Sequence, residues 1–550
     1  MKLKTHIFLK LNTIHICKTL LILLSITLLL NSCSSVEKHN LQVTKLHPVA
    51  DLHEDIDKVY KQLKRNHPHL YEFTTKEDLD FKFDSLKTAI NKPMDSRTFY
   101  KQLAQVTKYV GQGHMSLAPP GKRYEKKERR KLNKLRFDIS YLDFEYLENK
   151  LFIANALGKD SVLINAEVLK IEDETPQDLI KKYKRIIASD GYNTTFHNRV
   201  VGNRFMRYYA YDKGRFDSIS LTLKNKDSTF IKKYKRVANR DSAKIKSDSI
   251  KMDSLKLIAK VKLTKQERKA KKTKAKALRA FNSKYGKRPV RFMPKVEIYN
   301  RNLNFVGKDS TVALIKIRGF TNGNFEAFYD ETFATLDSLK TKTLIIDLRN
   351  NFGGRLKEID YLYSFLTDQN YTLINKSETN TRFPFLKGTM SNTNPIGLKI
   401  FAGLIAPFVS TIELFKTSKK EGKLYYRLSS AKEKESKQLN FKGEIYVLIN
   451  GNSFSASSIL SSQLQGSKRA TFVGEETGGA YNGTVAGVMK IYELPNTKVR
   501  ARIGLLHIDS KYKTETEGYG VKPDVEITPT YQDRLNGYDP ELEWVLKNIE

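Results

Sequence analysis

The sequence predicts an α/β core preceded by a helical N-terminal domain and a β-rich middle domain, on three observations. Apolar residues recur at intervals of three and four from Asp51 to about Val110. Short runs rich in β-formers dominate from Arg136 to about Phe230. From about Val296 onward, strand and helix patterns alternate, which is the signature of a parallel or mixed sheet covered by helices.

The first segment lies outside that fold. Lys2, Lys4, Lys10 and Lys18 precede the apolar run "TLLILLSITLLL", which is too short to span a bilayer as a helix and fits a secretory signal. The following "LNSC" resembles a bacterial lipobox, which implies a signal peptide over 1–32 and diacylation of Cys33. The competing reading is an uncleaved anchor. The only other cysteine, Cys17, falls in the segment removed, so the mature chain has no cysteine pair to oxidise. Residues 33–50 are expected to be a polar tether.

Over 51–118, "DLHEDIDKVYKQLKRNH", "KEDLDFKFDSLKTAI" and "DSRTFYKQLAQVTKYV" read as three helices, closed by the turn residues of "GQGHMSLAPP". In 119–231, "LRFDISYLDFEYLENKLFIANAL" and "DSISLTLKN" are strand-like, and "QDLIKKYKRII" is a helix. The order of a strand, "NAEVLKIEDETP" and then a helix resembles a PDZ domain.

The net charge of +37 is concentrated in 232–295, where "KLTKQERKAKKTKAKALR" has few aromatics. That composition predicts an exposed helix or linker without a core of its own, and no nucleic-acid groove is expected. Anionic surfaces remain candidate contacts for it.

In 296–535, "STVALIKIRGF" (strand), "NFEAFYDETFATLDSL" (helix), "KTLIIDLRNN" (strand), "RLKEIDYLYSFL" (helix) and "GEIYVLIN" (strand) carry the alternation. "SASSILSSQLQ" is the next helix and "ATFVGEE" a short strand. An insertion over 376–438 contains "PIGLKIFAGLIAPFVSTIELF", which is apolar but has two prolines and reads as too interrupted to span a membrane. A buried lid is the plain expectation for it, and a membrane- or substrate-contacting surface the alternative. Residues 536–550 close the chain as a helix.

Chemistry enters at "GNSFSAS". A serine there sits where a buried strand turns into a helix, beside first-turn amides able to face an oxyanion. An ordinary capping serine would look similar from this stretch alone. A second turn, "DLRNNFGG", ends another strand in Gly353 and Gly354, which allow close backbone approach.

With "EGYGVKPDVEI", these motifs resemble the tail-specific (C-terminal processing) and tricorn-like serine proteases. That resemblance implies a ClpP/crotonase-like core and Ser455 as nucleophile. It also implies an oxyanion hole formed by the amides of Ala456 and of Gly353 or Gly354. Where the tail-specific branch carries a lysine base this chain has Ala480, and no lysine lies between Arg469 and Met489. The tricorn-like branch instead implies His114 of "GQGHMSL" as base and Glu517 in its supporting polar network.

The histidines show no metal-ligand spacing, so neither metal nor cofactor is expected. The resulting expectation is an exported, lipid-anchored endopeptidase acting on polypeptides. An inactive peptide-binding protein of the same fold is the rival, and a surface scaffold working through the basic segment is a third reading.

Overall fold

The computed structural model describes residues 36–238, 264–308 and 311–549. Cys33 and the signal-like segment lie outside the described residues, as do 239–263 of the basic segment.

The core is a six-stranded sheet in the order Arg301–Val306, Val312–Ile317, Thr343–Asp347, Glu444–Ile449, Thr471–Gly474, Val525–Glu526. Its first pair is antiparallel and the rest are parallel. Thr343–Asp347 is buried at every position, as the apolar run Leu344–Ile346 at its centre suits a strand covered on both faces. The helices Phe325–Ser338, Leu356–Tyr363 and Ala456–Gly466 bury Phe328, Phe333, Leu362 and Leu460 against it.

A second sheet joins the core to the N-terminal helices. The antiparallel pair Gly483–Glu493 and Arg500–Asp509 extends on one side to Ser116–Ala118. Toward its other end the same edge of Arg500–Asp509 meets Ser377–Thr379, which leads to the hairpin Thr417–Lys420/Lys423–Tyr426. The helices Val49–Asn66, Lys76–Ala89 and Ser96–Thr107 pack Leu52, Phe83 and Phe99 into a cluster shared with Leu494, Ala501 and Ile503. The helical unit is thus completed by strands from the far end of the chain. The middle unit is a five-stranded antiparallel sheet running from Leu142–Leu147 to Ser228–Lys235, covered by Pro176–Lys184 and Thr195–Asn203.

Four expectations change. Part of the expected tether is folded: Val36–Thr44 is a helix, and His47 pairs its backbone with Met94 while its ring meets Ser96 Oγ at 3.0 Å. The basic-segment boundary at 232 cuts through the strand Ser228–Lys235. At its other end, Lys265–Lys284 is a helix with no buried residue, but Tyr285 packs on Phe328, so the core begins before 296.

The insertion is neither a buried lid nor interrupted. Ile396–Lys416 is one continuous helix of 21 residues in which only Ala402 and Glu413 are buried. Pro395 stands at its start, where it needs no amide, and only Pro407 lies inside.

Candidate active site

Ser455 sits between the buried strand Glu444–Ile449 and the helix Ala456–Gly466, with φ 60° and ψ −120°. That backbone region costs a non-glycine residue about 1–3 kcal/mol, and it turns the side chain outward at a strand-to-helix elbow. The neighbouring serines are all committed elsewhere. Ser453 Oγ donates to Leu348 O, Ser457 Oγ to Asn351 O, and Ser458 Oγ to Ser453 O. Only Ser455 of the four lines a cleft of about 600 Å³.

His114 enters that cleft from the turn before Ser116–Ala118. Its Nε2 lies 3.0 Å from Ser455 Oγ, and its ring stacks on Phe454 at 4.6 Å. Burial pushes its pKa down to about 3, with the Arg502 and Arg204 charges adding to the effect. The imidazole is therefore neutral, which leaves Nε2 free to accept the serine proton.

The other ring nitrogen, Nδ1, meets Thr484 Oγ1 at 3.2 Å, and the Thr484 hydroxyl is near enough to the Asp190 carboxylate to help hold its negative charge. One set of donors satisfies the chain. Ser455 O–H donates to Nε2, Nδ1–H donates to Thr484, and Thr484 O–H donates to Asp190. Asp190 is fully buried and also accepts from Gly113 N at 2.6 Å and Ala480 N at 3.3 Å. Burial raises its pKa to about 6 against the pull of those donors.

The glycine turn lies against the elbow. A Cβ on Gly353 would meet Phe454 O at 2.6 Å, Ala456 N at 2.7 Å and Ser455 Cβ at 2.8 Å. The two glycines are not equivalent: Gly353 N donates to Asn351 Oδ1 at 2.9 Å, whereas Gly354 lines the cleft. Among the described residues neither Gly354 N nor Ala456 N has a protein acceptor. Those are the two amides left for an oxyanion.

Glu517 is not part of this cluster. It is exposed and lines a different pocket, with His69, Glu72 and His507. Its neighbour Gly518 accepts from Tyr192 N at 2.8 Å, so the segment abuts the Asp190 loop while the Glu517 side chain faces out. Asp190 and Thr484 occupy the supporting position, and the sequence reading missed both. Ala480 contributes only its backbone, to Asp190.

In the second pocket, His69, Glu72 and His507 bring potential ligand atoms within 4.8 Å of one another, the one such group of three among the described residues. The rings of His69 and His507 stack at 4.1 Å and 19°, so their in-plane lone pairs run side by side instead of converging on one ion.

The cleft walls come from all three units. Ile186, Phe196 and Arg204 belong to the middle unit, Met115 to the N-terminal one, and Met489 and Arg502 to the core.

Residues 311–527 match the family model described as Peptidase family S41. A carboxy-terminal-processing protease of Bartonella bacilliformis is 35% identical over 98 residues, which are 18% of this chain and 21% of that protein. The match therefore spans about a fifth of that relative's length. Among solved structures, mature CPAF complexed with lactacystin is similar with a TM-score of 0.58 at 16% identity, over 91% of this chain and 98% of that one. The crystal structure of mature CPAF gives 0.56 at 15% identity, over 91% and 97%. At these identities the likeness is one of fold.

Proposed function

From a chain whose residues 311–527 match the model of Peptidase family S41, we propose a serine endopeptidase with Ser455 as nucleophile and His114 as its base. The observation that carries this reading is the 3.0 Å approach of His114 Nε2 to Ser455 Oγ, between residues 341 apart in the chain.

Ser455 Oγ attacks the peptide carbonyl as its proton passes to Nε2. The Gly354 and Ala456 amides receive the oxyanion, and the imidazolium returns the proton to the leaving amine. Water then enters by the same route in reverse and frees the acyl group. Thr484 and Asp190 hold the tautomer that keeps Nε2 unprotonated at rest. Arg204, Arg207 and Arg502 give the cleft a positive wall, which favours acidic stretches or a terminal carboxylate in the polypeptide.

The finer fold readings belong to the same proposal. The core is of ClpP/crotonase-like type, and the middle unit is PDZ-like. Its contribution of Ile186 and Phe196 to the cleft suits a role in positioning substrate. The protein is exported and held to a bacterial envelope membrane by lipid on Cys33.

Peptide hydrolysis by purified variants tests the catalytic assignment. Ser455→Ala and His114→Ala should each lower turnover on the order of 10⁴-fold or more while thermal unfolding is preserved. Parent-like cleavage by a folded His114→Ala protein would reject the base.

A further inference from the structure

The helix Ile396–Lys416 carries an apolar stripe that none of the described residues covers. Phe401, Leu404, Phe408, Ile412 and Phe415 follow one another at three, four, four and three residues, so they share one face; all are exposed, Leu404 to 76% and Phe415 to 81%. The opposite face holds the buried Ala402 and Glu413. A monomeric soluble surface rarely exposes such a contiguous stripe.

Both ends of the helix are tied to the same body. Before it, Asn392 exchanges two hydrogen bonds of 2.8 Å with the Glu493 backbone. At its end, Glu413 accepts from Phe385 N and Leu386 N, and Thr417 Oγ1 donates to Arg382 O. The helix is long and apolar enough to cross a bilayer. Crossing would nevertheless separate its ends by about 30 Å, on opposite sides of the hydrocarbon. Ends pinned to one folded sheet forbid that. Lying flat along the membrane surface is compatible with both ties.

We propose that this helix is an interfacial membrane-docking element, with its Phe401–Phe415 stripe inserted into the acyl boundary of an anionic bilayer. Two further observations select a bilayer as the occupant. Lys416, Lys419 and Lys420 follow the stripe, in the position of cations that reach headgroups while the apolar face is buried. The first described helix, Val36–Thr44, donates from Gln42 Nε2 to Asn496 O at 2.7 Å, on the same Glu493–Arg500 turn that holds Asn392. Gln42, close to the N-terminal edge of the described chain, thus lies beside the start of the docking helix. The neighbouring helix Pro384–Thr389 packs on Gly483–Glu493, whose Met489 and Ile491 line the cleft, so docking would set the cleft close to the lipid surface. This inference extends the membrane part of the proposed function and is independent of the catalytic assignment.

Tryptophan fluorescence of the full chain tests it. The only tryptophan is Trp544, so Phe408→Trp in a Trp544→Phe chain gives a single reporter on the stripe. The control is Ile231→Trp, exposed on the edge strand of the middle sheet. With vesicles of phosphatidylcholine and phosphatidylglycerol carrying brominated acyl chains, the reporter at 408 should be quenched and blue-shifted and that at 231 should not. Leu404→Ser/Phe408→Ser/Phe415→Ser, on exposed positions that leave the fold intact, should weaken vesicle binding roughly tenfold or more. Cleavage of a short soluble peptide should be unchanged. No quenching at 408, or equal quenching at both sites, would overturn the proposal. A blue shift at 408 that grows with protein concentration without vesicles would overturn it in favour of a second copy. Repeating the measurement with Ser455→Ala separates its failure from that of the catalytic reading.

Discussion

The Asp190 carboxylate accepts the amide of Gly113 at 2.6 Å, one residue before the histidine that reaches Ser455. One buried carboxylate therefore fixes the backbone that presents His114 and, through Thr484, the ring nitrogen opposite the serine.

The pH profile should reflect this. His114, held down to about 3, is already a competent base at mildly acid pH, so an acid limb near pH 6–7 is not expected from it. Asp190, raised to about 6, loses its proton in that region. We predict an acid limb in kcat centred near 6 that belongs to Asp190. Asp190→Asn should remove the limb and lower kcat about 10²-fold with little change in KM. A limb that persists in Asp190→Asn would assign it elsewhere.

Stability should respond to His114 with a definite sign. The unfolded imidazole binds a proton near 6.5, whereas the folded one resists it down to about 3. Between those values the unfolded state holds more protons, so this group makes the protein less stable as pH falls. Asp190 acts oppositely between 3.8 and about 6, because there the folded state retains the proton. His114→Asn should flatten the acid-side loss of Tm, and Asp190→Asn should steepen it.

Gly353→Ala should cost activity through the elbow. The residue has φ +87°, and its Cβ would press on Phe454 O, Ala456 N and Ser455 Cβ. We expect about 1–3 kcal/mol of lost stability and a larger loss of kcat than of substrate binding. Equal kcat for parent and variant would show that the turn relaxes freely.

Glu517→Gln should leave kcat within about twofold of the parent, since the side chain is exposed and outside the His114 network. A loss of several orders of magnitude would mean that Glu517 reaches the histidine in the working enzyme.

The basic helix Lys265–Lys284 has no buried residue, so limited trypsin should cut within it before any core strand. Replacing its lysines by glutamine should leave short-peptide cleavage unchanged. Weaker binding to anionic vesicles would be most visible at low salt.

The strand–helix alternation was legible because buried parallel strands such as Thr343–Asp347 have an unbroken apolar centre, here Leu344–Ile346. The turns "DLRNNFGG" and "GNSFSAS" were legible because glycine and small polar residues mark close backbone approach. Asp190 and Thr484 were not, since an aspartate in "ASDGYN" and a threonine inside a strand look ordinary until folding brings them together from 294 positions apart. Glu517 matched a local pattern, but a pattern fixes only the chain, and here the side chain points away. The folding of 36–50 rests on backbone pairing and single polar contacts such as His47 to Ser96, which leave no apolar period to read. In Ile396–Lys416 the prolines suggested a break, but one stands at the helix start and the other removes only a single amide donor.

The central claim, that Ser455 is a nucleophile activated by His114, is tested most directly by a fluorophosphonate probe followed by peptide mass spectrometry. The account predicts a single adduct on Ser455, lost in Ser455→Ala and formed far more slowly in His114→Ala. No adduct on the folded parent, or labelling of Ser455 at an unchanged rate without His114, would contradict it.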